Sequence, residues 1–597
     1  MKNTYHTLVV GSGAAGYNAL DWLHNLGVTD IAMVTEGVHM GTSRNTGSDK
    51  QTYYKLALAG NGTDSVPHMA QTLFKGGSVH GDTAYVEAAC SATSFMKLVH
   101  LGVPFPTNKL GAYVGYQTDH DDEKRQRATS CGPLTSKLMT EALERQAHGK
   151  GIEVIDHAQV VKILTQDNRV KGLIYIGQDG AYHTLYCQHI ILATGGPAGV
   201  YQDVVFPKSQ TGGTGLALAA GALGCNLQEW QYGLASIDFR WNVSGTYQQV
   251  LPRYISTGDD GVAHEFLLDH YKTPEEALNM VFLKGYQWPF DGSKVEGSSQ
   301  IDQLVAIETN EKGRKVYMDY RENPTGLDFA KLSPEAREYL AQSHATFGTP
   351  LERLAKMNPK AIQLYKDNGI DLHQEPLRIA VCAQHCNGGI GVDAHWESSV
   401  KGLYVVGEAA GTFGVYRPGG SALNSGQVGS MRAAQHIASQ GQHKNSHRDV
   451  NPVWDNWQVG SPPMSPSAFL AKTQPLMSRY AAYARATPDM EALYHEICTF
   501  LQSCKGINKA WTAAEHKSYD LLLTQQAVLS AIIFAAKTIG SRGGAIVDNQ
   551  PITEQANHFN DRVVTTAATG SYFEPVRPMP TGDDWFENLW NAQNPQP

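Results

Sequence analysis

Short apolar runs, separated by a glycine turn and a helical stripe, organise the first forty residues. Thr7–Val10 form a buried-type β run, and the glycine-rich segment Gly11–Gly16 interrupts it. Apolar side chains then recur at helical spacing at Ala19, Leu20, Trp22, Leu23 and Leu26. Ile31–Val34 are the next apolar run. The pattern predicts a strand, a tight turn, a helix and a second strand.

Two later segments repeat this kind of strand. Ile190–Ala193 and Leu403–Val406 are short apolar runs, and each leads into glycines. Strands that alternate with helical stretches predict an α/β fold with a mainly parallel sheet and helices on both faces. Residues 236–348 interrupt the alternation, because they are more polar and richer in Trp, Tyr and Pro. We expect them to form an inserted domain.

The last third of the chain has a different character. A stretch dense in Pro, Asn and Ser follows residue 440 and predicts a linker. Apolar stripes at helical spacing come next, and the tail from Phe573 is rich in proline and aromatic residues, as in an extended arm laid on a surface. The expected division is 1–235 and 349–440 for the two parts of the α/β domain, 236–348 for the insert, 441–572 for a helical domain and 573–597 for the arm.

Composition narrows the class of protein. The chain has 597 residues, of which 42% are hydrophobic and 18% are charged, with a net charge of −9. A disordered chain would have fewer apolar residues and more net charge. The charged segment Asp121–Arg127 is mixed in sign, and we expect a solvated loop there. Without a basic stripe, the sequence argues against nucleic-acid binding.

Cysteine usage and the apolar runs bear on the compartment. The eight cysteines contain no CxxC pair, so we expect reduced thiols and no disulfide scaffold or metal cage. The N-terminus enters a strand almost at once and lacks the features of a secretory peptide. The longest apolar run, Ala527–Ala536, is about half the length needed to span a bilayer. These features predict a cytoplasmic protein without a membrane span.

The segment Gly11-Ser12-Gly13-Ala14-Ala15-Gly16 carries the strongest local signal, GxGxxG between a strand and a helix. The first glycine permits a tight turn, the second lets the backbone approach a pyrophosphate, and the third lets the helix pack on the strand. Glu36 ends the second strand, where a carboxylate accepts the hydroxyls of a ribose. The segment predicts a dinucleotide site but does not separate FAD from NAD.

Three later segments favour FAD. Ala193-Thr194-Gly195-Gly196 ends a strand where the chain is expected to return to the cofactor domain. Gly402–Glu408 is a strand that ends in Gly407-Glu408, suited to the ribityl and phosphate region. Arg417–Leu423 opens a helix whose first N–H groups would meet the pyrimidine carbonyl of the flavin. That placement would stabilise negative charge on a reduced flavin.

Together these segments resemble the flavoprotein subunits of the fumarate reductase and succinate dehydrogenase superfamily, which includes L-aspartate oxidase and adenylylsulfate reductase. The segments that follow the family's order are GSGAAG with Glu36, ATGG, TGGTGLALAAGALGCNLQEWQYG, HCNGGIGVD, GLYVVGEAAGTFGVYRPGGSAL and SRGG. The resemblance implies a two-part Rossmann-like FAD-binding domain, an inserted α+β capping domain and a C-terminal helical domain. It also implies hydride transfer between flavin N5 and a carbon next to a carboxylate.

The resemblance also implies roles for single residues. His385 stands at the family's substrate-binding histidine and Arg417 at its carboxylate-binding arginine, while Arg253 matches an arginine of the cap. A guanidinium holds a carboxylate bidentately and withdraws electron density from the reacting carbon. The alternatives are a hydrogen-bonded loop histidine for His385, and a surface or FAD-phosphate partner for Arg417.

The expected contacts of a non-covalent FAD are spread over seven segments. They are Gly11, Ser12, Gly13, Ala14, Ala15, Gly16, Glu36, Gly37, Thr42, Ser43, Arg44, Asn45, Thr46, Gly47, Val160, Ala193, Thr194, Gly195, Gly407, Glu408, Gly420, Ser421, Ala422 and Leu423. Succinate dehydrogenases attach FAD through a histidine where this chain has Ser43-Arg44-Asn45, so no covalent link is expected. The polar segment Gly47–Gln51 replaces a small, glycine-rich loop beside the flavin, and we expect it to tune the flavin or to touch the substrate.

Other positions depart from the family. Gly233 stands where the family has a histidine, and Gly297–Asp302 has serine where the reductases have a proton-donating arginine before an aspartate. General acid catalysis contributes about 10²–10⁴ in rate, so simple fumarate reduction is disfavoured. Either the donor has moved, to Arg253 or to the loop near Lys50, or the reaction differs.

Three functions remain open from the sequence. The first is an FAD-dependent oxidoreductase of the enoate reductase or dehydrogenase type, acting on a small carboxylate-bearing substrate through His385 and Arg417. The second is the flavoprotein subunit of a multi-subunit reductase that exchanges electrons with an iron–sulfur partner, which the aromatic tail would dock. The third is a non-catalytic role for the flavin.

Overall fold

The fold was obtained as a computed structural model that describes residues 2–58, 62–118, 120–121, 125–441, 460–506, 508, 510–553, 559–567, 570–582 and 585–593. The strands are β1 Thr4–Val10, β2 Ile31–Val34, β3 Tyr53–Tyr54, β4 Ala128–Thr129, β5 Glu153–Ile155, β6 Gln159–Gln166, β7 Arg169–Ile176, β8 Tyr182–Leu192, β9 Gly224–Cys225, β10 Trp230–Ser236, β11 Trp241–Asn242, β12 Arg253–Thr257, β13 Ala263–His264, β14 Lys315–Asp319, β15 Leu377–Cys386, β16 Gly389–Ile390, β17 Leu403–Val405, β18 Ala484–Arg485, β19 Ile546–Val547, β20 Asp561–Thr566 and β21 Gly570–Pro575. The helices are α1 Ala14–Asn25, α2 Thr42–Asn45, α3 Val66–Phe74, α4 Gly81–Ala89, α5 Ser91–His100, α6 Thr135–Gly149, α7 Thr214–Ala219, α8 Thr246–Gln249, α9 Pro274–Lys284, α10 Gln300–Ala306, α11 Pro334–Gln342, α12 Pro350–Met357, α13 Pro359–Asp367, α14 Ser421–Ser439, α15 Pro466–Tyr480, α16 Thr487–Cys504, α17 Ala513–Thr538 and α18 Phe586–Gln593.

A seven-stranded sheet forms the centre of the largest core. Its order is β5–β2–β1–β8–β7–β6, with β17 also paired to β8. The pairs β1–β2, β1–β8, β2–β5 and β8–β17 are parallel, while β6 and β7 form an antiparallel hairpin. Each strand expected from its apolar run is present, and α1 follows the glycine turn but ends at Asn25, leaving Leu26 40% exposed. The predicted α/β class is confirmed.

A second sheet carries the insert. Its order is β11–β10–β15–β14–β12–β13, all antiparallel, and it has its own apolar core. Helices α12 and α13 pack into that core through residues such as Leu354 and Tyr365. The sheet also begins before residue 236, in β10. The capping sheet and core therefore extend beyond the expected range 236–348 on both sides.

The C-terminal third is helical, as expected from its apolar stripes. Helices α15, α16 and α17 pack on one another and on the large core. The expected linker lies outside the described residues over 442–459. The tail differs from a plain arm, because β21 pairs with β20 and the described residues end with α18.

Helix α17 begins with a capping box, in which Thr512 accepts from the Glu515 N–H and the Glu515 carboxylate accepts from the Thr512 N–H. Within the described chain it is the helix that is long and apolar enough to cross a membrane. However, 56% of its apolar window is buried inside the protein, which is the environment of a core helix.

The charged segment Asp121–Arg127 does not behave throughout as a solvated loop. Arg127 is fully buried, and its guanidinium lies 2.8 Å from the Asp64 carboxylate and 2.9 Å from that of Asp121. The expectation of solvent exposure is wrong for Arg127, because two carboxylates compensate the loss of water around its charge.

All eight cysteines are free.

The third glycine of the turn offers a test of the fold. A Cβ atom at Gly16 would collide with the carbonyl oxygen of Gly11, which belongs to the same turn. We expect Gly16→Ala to destabilise the protein by about 1–3 kcal/mol, because overpacking displaces backbone that cannot move freely. Thermal unfolding should show a lower midpoint for this variant.

The matched control is Gly149→Ala in α6, where an added Cβ meets nothing within 4 Å and the backbone is helical. Its midpoint should stay level or rise slightly, since alanine is the better helix former. Equal midpoints for the two variants would show that the turn is not closely packed.

Candidate cofactor and substrate site

The carboxyl ends of β1, β2, β8 and β17 open on one cleft, as expected for parallel strands at the switch point of an α/β sheet. The cleft encloses about 1390 Å³ of empty space, part of it open solvent. Helices α1 and α14 both direct their N-termini towards it. The fold thus brings the predicted glycine turn, the Glu408 strand and the later glycine-rich helix start to a single place.

The glycine turn packs closely against neighbouring backbone at its first glycine. Gly11 has a φ of +107°, and a Cβ there would lie 2.5 Å from the carbonyl oxygen of Ala193 on β8. Gly13 precedes α1 without a side-chain cap, and the N–H of Ala14 donates to the Ser43 hydroxyl at 3.3 Å. Helix N–H groups that face a cleft are suited to a phosphate.

Polar atoms in the cleft wall are left without partners. The Thr194 hydroxyl and the Oδ1 atom of Asp520 are buried, and neither has a hydrogen-bond partner among the described residues. Unpaired buried polar atoms are costly, so they indicate a ligand that completes them. A long cleft with a helix N-terminus, close backbone and such atoms fits a dinucleotide cofactor.

Most of the predicted cofactor contacts line this cleft. They are Gly11, Ser12, Gly13, Ala14, Ala15, Glu36, Gly37, Thr42, Ser43, Val160, Ala193, Thr194, Gly195, Gly407, Glu408, Ala422 and Leu423. The predicted contacts that are not part of its lining are Gly16, Arg44, Asn45, Thr46, Gly47, Gly420 and Ser421.

These residues have other partners. The guanidinium of Arg44 lies 2.7 Å from the Glu144 carboxylate, and the Asn45 amide donates to the carbonyl oxygens of His39 and Gly41. Thr46 donates to the carbonyl oxygen of Val205 at 3.1 Å. In the same way Ser421 donates to the Pro418 carbonyl at 2.7 Å.

Close packing accounts for the three glycines. Gly16 lies against the Gly11 carbonyl, and a Cβ at Gly47 would lie 2.8 Å from the indole of Trp241. A Cβ at Gly420, which has a φ of +88°, would lie 2.5 Å from the Thr52 side chain. These three glycines do not line the cleft, but they allow the elements that form its wall to pack closely.

Several lining residues are not among the predicted cofactor contacts, although one of them, Gln51, belongs to the polar segment that was expected beside the flavin. Gln51 and Ser136 meet in the cleft wall, where the Gln51 amide oxygen accepts from the Ser136 N–H and hydroxyl, both at 2.9 Å. Gln210 accepts from the Thr42 N–H at 2.9 Å. His516, Lys517 and Asp520 enter from α17. Single polar residues far apart in the chain carry no local pattern that would have identified them.

His385 and Arg417 are brought together by a shared neighbour. The Oδ1 atom of Asn387 is 3.1 Å from Nδ1 of His385 and accepts from Nε of Arg417 at 3.3 Å. The Arg417 Nη2 atom donates to the Gln231 amide oxygen at 2.6 Å. Gln231 and His385 face each other across β10 and β15. Sequence reasoning missed both amides.

The charges at this pair are unbalanced. Arg417 has only neutral hydrogen-bond partners among the described residues, and part of its surface remains accessible. Burial lowers its pKa to about 10, while the fields of Glu408 and Glu87 raise it, so the guanidinium stays charged. Burial, followed by the neighbouring Arg417 charge, lowers the pKa of His385 well below its usual value, so this imidazole is neutral. Its Nε2 atom is buried and has no partner within the described part of the chain.

Trp288 occupies the space beside Gly233. A Cβ at Gly233 would lie 3.0 Å from the indole and 2.8 Å from Nε2 of Gln384. The indole N–H donates to the Gln384 amide oxygen at 2.8 Å, which fixes its position. At Gly233, where the family has a histidine, the neighbouring space is thus occupied by an aromatic ring from the cap.

The cap holds a fully buried ion pair next to that ring. The Lys284 ammonium is 2.6 Å from the Asp302 carboxylate and 5.1 Å from the centre of the Trp288 ring. Arg253 is not brought to His385 and Arg417; instead it forms ion pairs with Glu265, at 3.2 Å, and with Glu322. Its expected place beside the substrate therefore finds no support in the geometry.

Asp49 belongs to the polar segment that was expected to lie beside the flavin. Its buried carboxylate accepts from the N–H of Thr246 at 2.8 Å and from the hydroxyl at 3.0 Å, at the start of α8 in the cap. Burial raises its pKa, and the hydrogen bonds from Thr246 oppose the shift. Asp49 thus joins the cofactor domain to the cap, while Gln51 from the same segment lines the cleft.

Comparison with known proteins agrees with this geometry. A family described as FAD binding domain matches residues 6–423. The L-aspartate oxidase of Streptomyces coelicolor is 24% identical over 495 residues, covering 81% of this chain and 77% of its own. A fumarate reductase (CoM/CoB) chain of Methanothermobacter marburgensis is 24% identical over 433 residues, which cover 71% of both proteins.

Solved structures extend the likeness of fold to nearly the whole chain. A mutant form of E. coli quinol fumarate reductase FrdA has a TM-score of 0.71 at 18% identity and covers 98% of both chains. Mycobacterium smegmatis Sdh1 in complex with UQ1 has a TM-score of 0.73 at 16% identity, covering 100% of this chain and 97% of its own. The chain belongs to the FAD-binding domain family and is an FAD-dependent oxidoreductase related to the L-aspartate oxidases and fumarate reductases.

Proposed function

We propose that this enzyme transfers hydride between FAD and a small organic substrate that carries a carboxylate, as an enoate reductase or a dehydrogenase. One observation carries the proposal: Arg417 is a largely buried cation held by two neutral amides, with no carboxylate at ion-pairing distance among the described residues. A guanidinium in that state lacks the compensation that buried charges normally have. A substrate carboxylate supplies it.

The chain's own residues would bind and orient the substrate. Asn387 and Gln231 hold the Arg417 fork in place, so that it takes a carboxylate bidentately and withdraws electron density from the adjoining carbon. Nε2 of His385 is the free polar atom of the pair and holds a second substrate oxygen. FAD, bound non-covalently in the cleft, supplies the acceptor and donor of hydride.

The substrate proposed here is not simply fumarate. Trp288 occupies the space beside Gly233, where the family has a histidine. Arg253 forms ion pairs with two carboxylates of the cap. Neither position therefore offers a free polar group to a second carboxylate. We infer one carboxylate, held by Arg417, and a less polar remainder against the indole. A cytoplasmic location, which the sequence predicts, is also part of the proposal.

Arg417 provides the direct test. We expect Arg417→Met to lower kcat/KM by about 10²–10³-fold on an active carboxylate substrate, because truncating a buried charge partner costs several kcal/mol. Arg417→Lys should recover only part of this loss, since an ammonium lacks the planar fork. Steady-state rates would be measured on enoates, 2-hydroxy acids and amino acids, normalised to FAD content from the flavin absorbance.

Arg378→Met is the matched control, since Arg378 lies on the same strand as His385 but is 39% exposed. It should keep wild-type rates. Full activity in Arg417→Met with normal flavin content would exclude Arg417 as the carboxylate-binding residue.

Glu408 is expected to make the affinity for FAD depend on pH. Burial raises its pKa to about 7, against the N–H of Cys386 and the charge of Arg417, which lower it. The folded protein therefore favours the neutral carboxyl, and ionisation as the pH rises through about 7 puts a negative charge in the cleft that receives the FAD phosphates. We expect FAD affinity to fall about three- to tenfold between pH 6 and pH 8, measured by quenching of flavin fluorescence.

Glu408→Gln keeps the shape of the side chain and removes its titration. Its FAD affinity should vary less over the same pH range and match the wild-type value near pH 6. An unchanged slope in this variant would assign the pH dependence to another group.

A second candidate function is that of a flavoprotein subunit that exchanges electrons with an iron–sulfur partner. The observation that favours it is the exposed apolar face of the C-terminal segment, where Trp585, Phe586, Leu589 and Trp590 are 64%, 66%, 48% and 55% exposed. Such a face suits a protein partner. Native mass and co-purification distinguish the two functions, because a monomer that turns over with a soluble donor acts alone.

A further inference from the structure

The first turns of α17 reach the end of the cleft that lies at Glu36. His516, Lys517 and Asp520 all contribute to the cleft wall there, next to Gln159 and Val160 of β6. These three residues belong to the C-terminal helical region, far along the chain from every segment of the dinucleotide fold. The cofactor site therefore has a wall that the GxGxxG pattern does not include.

Lys517 contacts Glu36, the residue whose carboxylate is expected to bind the ribose of the cofactor. Its ammonium forms an ion pair with Glu36, and the two side chains are 26% and 33% exposed. An ionised Glu36 alone would repel the nearby pyrophosphate of a dinucleotide. The lysine charge offsets that repulsion and holds the carboxylate in one position.

Asp520 faces the same part of the cleft. Its side chain is buried, and its Oδ1 atom has no hydrogen-bond partner among the described residues. A Cβ at Gly215 of α7 would lie 2.6 Å from that oxygen, so the absence of a side chain at Gly215 makes room for the carboxyl group. Burial raises the pKa of Asp520 to about 7, which gives it both a donor and an acceptor near neutral pH.

The start of α17 is held in place on both sides. Gln159 of β6 donates to the carbonyl oxygen of Ala513 at 2.7 Å. The hydroxyl of Tyr182, at the start of β8, lies 2.7 Å from Nε2 of His516. These contacts fix Lys517 and Asp520 relative to the sheet that carries Glu36, so the wall is positioned by the fold itself.

We propose that Lys517 and Asp520 bind the adenosine half of FAD, Lys517 through Glu36 and Asp520 by a direct hydrogen bond to the nucleoside. The C-terminal helical region then closes one end of the cofactor site. By linkage, bound FAD holds α17 against the sheet, and a docked α17 strengthens FAD binding. The inference rests on the FAD chemistry of the proposed function, but it is tested by binding alone.

The test titrates the apo full-length protein with FAD and, separately, with FMN, which lacks the adenosine half. We expect Lys517→Met and Asp520→Ala each to weaken FAD binding about tenfold, the first because an unpaired Glu36 repels the phosphates and the second because one hydrogen bond to the nucleoside is lost. FMN affinity should change less than twofold in both variants. Lys537→Met is the matched control, because Lys537 pairs with Glu491 near the other end of α17 and should leave both affinities unchanged.

FAD affinities within twofold of wild type in both variants would overturn the proposal, and so would an equal loss of FMN binding. Hydrogen exchange on the wild-type protein covers the case in which a variant does not fold. Amides of residues 513–520 should exchange more slowly with FAD bound, and no difference would contradict the inference. A wild-type protein that binds no flavin would instead refute the FAD site as a whole.

Discussion

The site is organised by a largely buried guanidinium that has no carboxylate at ion-pairing distance among the described residues. Arg417 is largely withdrawn from water, and its hydrogen-bond partners are the amide oxygens of Gln231 and Asn387. Neutral dipoles satisfy the donors without cancelling the charge, so the site keeps a net attraction for an anion. The same cation disfavours protonation of His385, which leaves a neutral imidazole beside it. In the proposed function, this cation orients the substrate through its carboxylate.

The residues that surround Arg417 come from distant parts of the chain. Gln231 lies on β10 and His385 on β15, both in the sheet of the cap, whereas Arg417 precedes α14 of the cofactor domain. The two parts are joined elsewhere by the Asp49 carboxylate at the start of α8. Asp49 is buried in that junction, so separating the cap from the cofactor domain exposes its charge and breaks two hydrogen bonds. The position of the cap is therefore tied to the loop that also carries Gln51.

Local patterns predicted the parts of the molecule whose causes are local. The strand, glycine turn and helix around Gly11 follow from apolar periodicity and steric needs within thirty residues. Arg127 was misjudged, because its carboxylate partners become neighbours only in the folded chain. Lys517 and Asp520 escaped for a similar reason, since nothing in the sequence of this long, mostly apolar helix marks the turn that will meet Glu36. Long-range pairing of charges is set by tertiary packing, which the order of residues does not display.

Gly233 stands where the family has a histidine, and the side chains around it are arranged accordingly. Gly233 leaves β10 without a side chain, and the indole of Trp288 closes to contact distance above it, fixed by its hydrogen bond to Gln384. The ring also lies beside the ammonium of Lys284, whose charge is balanced by Asp302 inside the cap. An aromatic ring and an internal ion pair of the cap thus lie beside Gly233, where no side chain extends from β10. In the proposed function Arg417 anchors the substrate carboxylate, and the indole makes this part of the site less polar than a histidine would.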